Sequence, residues 1–223
     1  MDTINELRIK SDNEVIETIL EGDVSAFETL IRRYNSVLYK IARSFGYNHQ
    51  DAEDLMQDTH ITAYTQLSKF QGRASYKTWV SRIMINKCLY KLKYGYTSRE
   101  ISSDNLLHYT TLPMHEKDNR KTENVVHNHE LALILEKSLS SIPVIYRTVF
   151  VLREVEGFSI QETAELLNIS PVNVKVRLNR AKALLQKQIE QYYSSRDLYS
   201  FNLIYCDGIV ERVLRKIQET SEK

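Results

Sequence analysis

The sequence predicts an all-α protein made of two small helical domains, a helical bundle followed by a four-helix unit, and three observations carry that expectation. Turn chemistry is scarce, because 6 glycines and 3 prolines in 223 residues leave few breakers for a many-stranded sheet. Apolar residues recur three and four apart over long stretches, the period of a half-buried helix. One stretch, residues 95–127, loses that period and turns to Ser, Thr, Asn, His and charge, which reads as a flexible linker.

Each element has its own signal. A short helix is expected around residues 15–20. The first strong helix starts near Asp23, a good N-cap, or at Ser25, which can form a capping box with Glu28. Phe27, Leu30, Ile31, Tyr34, Leu38, Ile41 and Phe45 mark its inner face, and Gly46 stops it. Asn48 caps a second helix with Ala52, Leu55, Met56, Thr59, Ala63 and Leu67 inward. A short loop follows at Phe70 to Ser75, and Ser75 caps a third long helix reaching about Tyr94. Beyond the linker one helix runs from about Asn128 to Ser140. Another opens with Pro143 in its first turn and ends at Gly157. Residues 1–94 and 128–192 are thus read as two domains. The tail, 193–223, carries an amphipathic stretch at Ile209, Val210, Val213, Leu214 and Ile217, expected to fold back on the second domain or to serve a regulatory contact.

Several function classes are excluded. Cys88 and Cys206 lie far apart and belong to no Cys/His cluster, which suits a reduced chain without a metal site. No apolar run approaches membrane-spanning length, and the polar, acidic N-terminus is no signal peptide. A cytoplasmic protein is expected. Asp51, Asp54, Asp58 and His60 have a spacing that permits metal ligation, yet no second ligand cluster accompanies them. Neither a metal nor a cofactor is expected, and no catalysis.

Net charge is only +1, but its distribution is uneven. Asp51, Glu53, Asp54 and Asp58 stand in a stretch without Lys or Arg, and Arg73, Lys77, Arg82, Lys87, Lys91 and Lys93 follow without an acid. The order repeats: residues 154–165 are acidic and residues 171–187 purely basic. Acid-then-base twice, each time within a helical hairpin, points to nucleic acid.

The second hairpin is the more specific. Ser159-Ile-Gln-Glu162 is a capping box, Asn168 suits a left-handed turn, and Ser170-Pro171 forces a new helix to begin. In that helix Val174, Leu178, Ala181 and Leu185 fall within about 60° of one another, leaving Lys175, Val176, Asn179 and Arg180 outward and Arg177 at the edge. Helix, tight turn and basic helix, over about residues 160–179, form a helix-turn-helix whose second helix fits a major groove. In the first domain, Trp79, Arg82, Asn86, Tyr90 and Lys93 share a face opposite Val80, Met84 and Cys88. Rings between cations suit single-stranded DNA, because bases stack on rings while cations hold phosphates.

Four stretches, GDVSAFETLIRRY, DAEDLMQDTHITAY, FQGRASYKTWVSRIMINK and SIPVIYRTVFVLREVEGFSIQETAELLNISPVNVKVRLNRAKALL, together resemble the extracytoplasmic-function class of bacterial RNA polymerase sigma factors. The likeness covers residues 10–94 and 128–190, as sigma regions 2 and 4. It implies promoter-specific initiation with core RNA polymerase, gripped through its largest-subunit clamp helices and its flap, and an anti-sigma factor as a further partner. It implies that Asp54, Leu55, Gln57, Asp58, Thr59, Ala63 and Tyr64 face the clamp helices. Gln71, Gly72, Arg73, Ala74 and Ser75 then resemble the loop that captures a flipped base of the minus-10 element, with Trp79, Arg82, Asn86 and Lys87 beside it. Asn173, Lys175, Val176, Arg177, Asn179 and Arg180 match the readers and phosphate clamps of duplex minus-35 DNA. A polymerase-independent helix-turn-helix regulator with an N-terminal sensing or dimerisation domain is the alternative; it leaves the basic aromatic helix unexplained.

Overall fold

The computed structural model describes residues 10–95, 126–191 and 206–221, and those residues contain helices and turns without a strand. The expected linker at 95–127 lies almost wholly outside them. Helix α1, Asp12–Leu20, starts on a capping box in which Ser11 N–H donates to Glu14 Oε2 at 2.6 Å and Glu14 N–H donates back to Ser11 Oγ. Asp23 then caps a single 3-10 turn, Val24–Ala26, and takes the Ser25 hydroxyl as well as its N–H. The expected Ser25–Glu28 box therefore does not form. Helix α2, Phe27–Ser44, begins without a side-chain cap, and Glu28 pairs with Arg32 instead.

Helices α3, His49–Thr65, and α4, Tyr76–Gly95, complete the first bundle. Asn48 caps α3 through Asp51 N–H at 2.8 Å, and Ser75 caps α4 through Thr78 N–H at 3.1 Å. Leu30, Leu38, Ile41, Leu67, Met84 and Ile85 are wholly enclosed between the helices. Each such side chain contributes about 1.5–3 kcal/mol by leaving water.

The second module comprises α5, Val126–Ser140, α6, Val144–Phe150, α7, Ile160–Leu167, and α8, Pro171–Ile189. Pro143 sits one position earlier than expected, as the N-cap of α6. A π-type turn, Val151–Val155, prolongs α6 before Gly157 ends it at φ +73°. The helix-turn-helix has the predicted joints: Ser159 and Glu162 form their capping box, Asn168 is left-handed at φ 52°, and Ser170 Oγ accepts from Asn173 N–H.

Helix-turn-helix packing leaves only a small core of its own, Val149, Ala164 and Val174, flanked by Ile160, Leu167, Ile169 and Leu178. Val144, Leu152, Phe158 and Leu166 join the core of the first bundle, so the two modules share one apolar interior. Helix α9, Cys206–Ser221, differs from expectation, since Val210, Val213, Leu214 and Ile217 are at least half exposed instead of folded back on the second module.

Candidate nucleic-acid interface

Helix α3 divides by its period into an inner and an outer face. Asp54, Gln57, Asp58 and Tyr64 are exposed, and the Tyr64 ring meets Phe27 edge-on at 5.2 Å. Leu55, Thr59 and Ala63, expected on the same partner-facing surface, lie in the core instead. Thr59 Oγ1 donates to Leu55 O at 2.6 Å and touches Met84 Sδ at 3.2 Å. Three- and four-residue spacing from Ala52 carries them inward, and a residue there acts through packing rather than by touching a partner. Beside Gln57 a cleft of about 450 Å³ opens between Ile31, Met56 and the exposed Ile61. At its floor His60 turns inward to Asn35 Oδ1 at 2.9 Å, and burial holds its pKa below the usual value. With Asp51 drawn to Lys91 at 2.5 Å, His60 and the α3 acids do not converge. Among the described residues no three His, Cys, Asp or Glu side chains come together as a metal site.

The loop Gln71–Ser75 is exposed throughout, and Gly72 adopts φ +66°, a conformation that side-chain-bearing residues rarely take. Next to it a cavity of about 210 Å³ is walled by Phe70, Arg73, Thr78, Trp79 and Arg82. Trp79 is half-buried and packs tilted against Phe70 and Tyr76 at 5.3 and 5.5 Å between ring centres, while also lining the cavity. Arg82, Asn86, Tyr90 and Lys93 are exposed along α4 and Lys87 is half-buried, whereas Val80, Met84 and Cys88 point into the core. Burial raises the Cys88 thiol far above its usual pKa, which makes it inert.

On α8, Lys175, Val176, Asn179 and Arg180 form one exposed strip. Asn173 and Arg177 do not stand free on it. Asn173 Oδ1 accepts from Arg177 Nε at 3.1 Å, laying the half-buried guanidinium along the helix, and burial lowers the Arg177 pKa. Arg180 Nη1 reaches Tyr146 Oη at 3.2 Å, which aims it across the end of α6.

Comparison with known proteins matches the chain to a family. The model for sigma-70 region 2 matches residues 30–95 and that for sigma-70 region 4 matches residues 132–185, together more than half the chain. The extracytoplasmic-function sigma factor SigM of Mycobacterium tuberculosis is 29% identical over 178 residues, covering 80% of this chain and 84% of that one. SigW of Bacillus subtilis is 27% identical over 179 residues, covering 78% and 94%. The chain belongs to the extracytoplasmic-function sigma factors. As an alternative sigma factor it directs transcription initiation. Among solved structures it is similar to CnrH in complex with the cytosolic domain of CnrY, at 25% identity and a TM-score of 0.57, covering 82% of this chain and 99% of that one. The sigma factor RpoE of Bartonella quintana, solved with the anti-sigma factor NepR, shares the fold at a TM-score of 0.54 and 20% identity, covering 74% and 96%.

Sequence reasoning missed how this sigma factor's modules meet. Arg147, only 6% exposed, donates from Nε to Ser44 O at 2.7 Å and from Nη1 to Ser140 O at 2.9 Å. Burial lowers its pKa to about 10, so it stays charged at neutral pH. The Glu156 side chain, 4% exposed, lies 3.0 Å from Lys40 Nζ and 3.8 Å from Lys77 Nζ, while Lys77 donates to Glu156 O. An arginine in an apolar helix and an acid before a glycine were the only signals, and neither names its partner.

Proposed function

We propose that the sigma factor divides its work among three faces and catalyses nothing itself. The exposed strip of α3, Asp54, Gln57, Asp58 and Tyr64, holds the clamp helices of core RNA polymerase, and Ile61 with its cleft adds apolar area there. The Gln71–Ser75 loop and the cavity against Trp79 accept one extruded minus-10 base. Arg82, Asn86 and Lys87 hold the adjoining backbone, an arrangement that needs rings for stacking and cations for phosphates. Helix α8 enters the major groove at minus-35, with Lys175 and Asn179 toward base edges and Arg180 toward phosphate. The observation that supports this reading best is the opposition of faces within one bundle: an acidic outer face on α3 and a basic, ring-bearing face on α4. Such a protein works in the cytoplasm, where promoter DNA is. CnrH and the Bartonella RpoE were solved with CnrY and the anti-sigma factor NepR; by that likeness an anti-sigma factor is a partner here too.

Near-neutral charge predicts weak binding of free protein to duplex DNA and tight binding to core enzyme. Native mass spectrometry with core polymerase tests this. A stable one-to-one complex is expected. Tight promoter-duplex binding by the protein alone, with no core complex, overturns the reading in favour of a conventional regulator.

A further inference from the structure

We propose that α9 pairs in parallel with α9 of a second copy of this chain, its apolar stripe forming the seam. At about 100° per residue Cys206, Ile209, Val210, Val213, Leu214 and Ile217 share an arc of about 140°. The five aliphatic side chains are 40–55% exposed, a continuous apolar band of the kind that marks a contact surface. Glu211, Arg212, Arg215, Lys216 and Glu219 take up the rest of the circumference, and Glu211 holds Arg215 at 2.9 Å. Three cations among two anions do not make the strongly basic face that keeps a helix on a lipid surface or a phosphate backbone. A protein partner suits the stripe, and the spacing says which.

Cys206, Val210, Val213 and Ile217 stand four, three and four residues apart, the a and d rhythm of a coiled coil. Val210 and Ile217 then fall at a, where β-branched side chains favour two parallel strands. Ile209 falls at g and Leu214 at e, the flanking positions that meet across a parallel pair, so each copy's Ile209 covers the other's Leu214. An antiparallel pair brings like flanks together and sets Ile209 against Lys216. In the parallel register Cys206, at d, faces its own counterpart, near the separation of about 4.4–6.8 Å between Cα atoms that a disulfide needs. The seam is less than two full heptads long, so the pair forms weakly and reversibly. No residue of the stripe belongs to the faces assigned to polymerase or promoter, so the pairing stands or falls independently of that assignment.

The test uses the full chain in two measurements. Sedimentation equilibrium under reducing conditions is expected to show a monomer–dimer equilibrium. Val213→Glu places a charge in the seam and is expected to weaken the dimer about tenfold or more. Gly208→Glu adds the same charge on the opposite side of the helix and is expected to leave it near wild type. Oxidised glutathione then reports the register. One Cys206 thiolate takes a glutathionyl group and releases glutathione; the partner copy's thiolate displaces the second glutathione, leaving one disulfide between the copies. Cys88 is enclosed and its thiol is held protonated, so the cross-link reports Cys206 alone. A covalent dimer is expected, formed about tenfold faster by wild type than by Val213→Glu. A monomer at every concentration overturns the proposal and assigns the stripe to a different protein or to another part of the chain. A dimer that Val213→Glu leaves intact overturns it too. So does a dimer whose Cys206 cross-links no faster than in Val213→Glu, since an antiparallel pair holds the two cysteines roughly 16 Å apart at about 1.5 Å per residue.

Discussion

The two modules solve the problem of a small core differently. The first encloses Leu30, Leu38, Ile41, Met84 and Ile85 among its own helices. Among the described residues the second gathers only Val149, Ala164 and Val174 into a buried cluster of its own and places Val144, Leu152, Phe158 and Leu166 in its neighbour's interior. A helix-turn-helix of this size is marginal by surface-to-volume scaling, and leaning on a larger bundle offsets that. The stability of the second module therefore depends on where it rests.

Phe158→Ala breaks that dependence most directly. Truncating the buried ring is expected to cost about 3–5 kcal/mol, felt by the second module. Calorimetry should then show two transitions, with the first bundle melting near its original temperature; one shared transition shifted as a whole contradicts the comparison. Arg147→Ala comes next. It strips two carbonyl partners and a buried charge at the same junction, for about 1–3 kcal/mol, and hydrogen exchange should rise first around Ser44 and Ser140.

Ser159→Ala sharpens the comparison from within the helix-turn-helix. Loss of the α7 cap should cost about 1 kcal/mol. The Ser159 N–H and hydroxyl hold the Glu162 carboxyl below its ordinary pKa of 4.5. A depressed folded-state pKa stabilises above the unfolded value and ceases to do so as pH falls through the folded one. Acid titration of the second module should thus show a loss of stability below about pH 4.5 that is smaller in the Ser159→Ala variant, which loses the hydroxyl's share while the residue 159 N–H still donates to Glu162. A pH profile identical to wild type would show that the cap does not set that titration.

Local joints were legible in the sequence and long-range ones were not. Asn48, Ser75, Ser159 and Ser170 cap the helices assigned to them, and Asn168 takes the left-handed turn, because each needs only neighbours three or four residues away. Ser25 failed for an equally local reason: its hydroxyl is drawn to Asp23 before Glu28 can use it. Leu55, Thr59 and Ala63 carry a sharper lesson. Helical period placed them inward while family likeness placed them against a partner, and the core holds them. The Arg147–Ser44 bond spans 103 residues, and the intervening sequence carries no pattern that would announce it.

Smaller effects are expected on α8, where folding is not at stake. Lys175→Ala should relax preference at one minus-35 position by about 1–3 kcal/mol. Arg180→Ala should weaken all promoters alike and lower the salt slope. Filter binding of holoenzyme across salt concentrations separates the two. Equal behaviour of both variants would assign the strip to backbone contact alone.

If residues 71–75 select the minus-10 base, exchanging them must change the promoter choice that this sigma factor lends core polymerase. Transcription in vitro from a library randomised at both elements, with core enzyme and either the wild-type chain or one carrying another family member's 71–75 loop, tests it most directly. The account predicts transcripts that require the added protein, a changed minus-10 preference on loop exchange and an unchanged minus-35 preference. No protein-dependent transcripts, or an unaltered minus-10 preference in a normally folded loop variant, would contradict it.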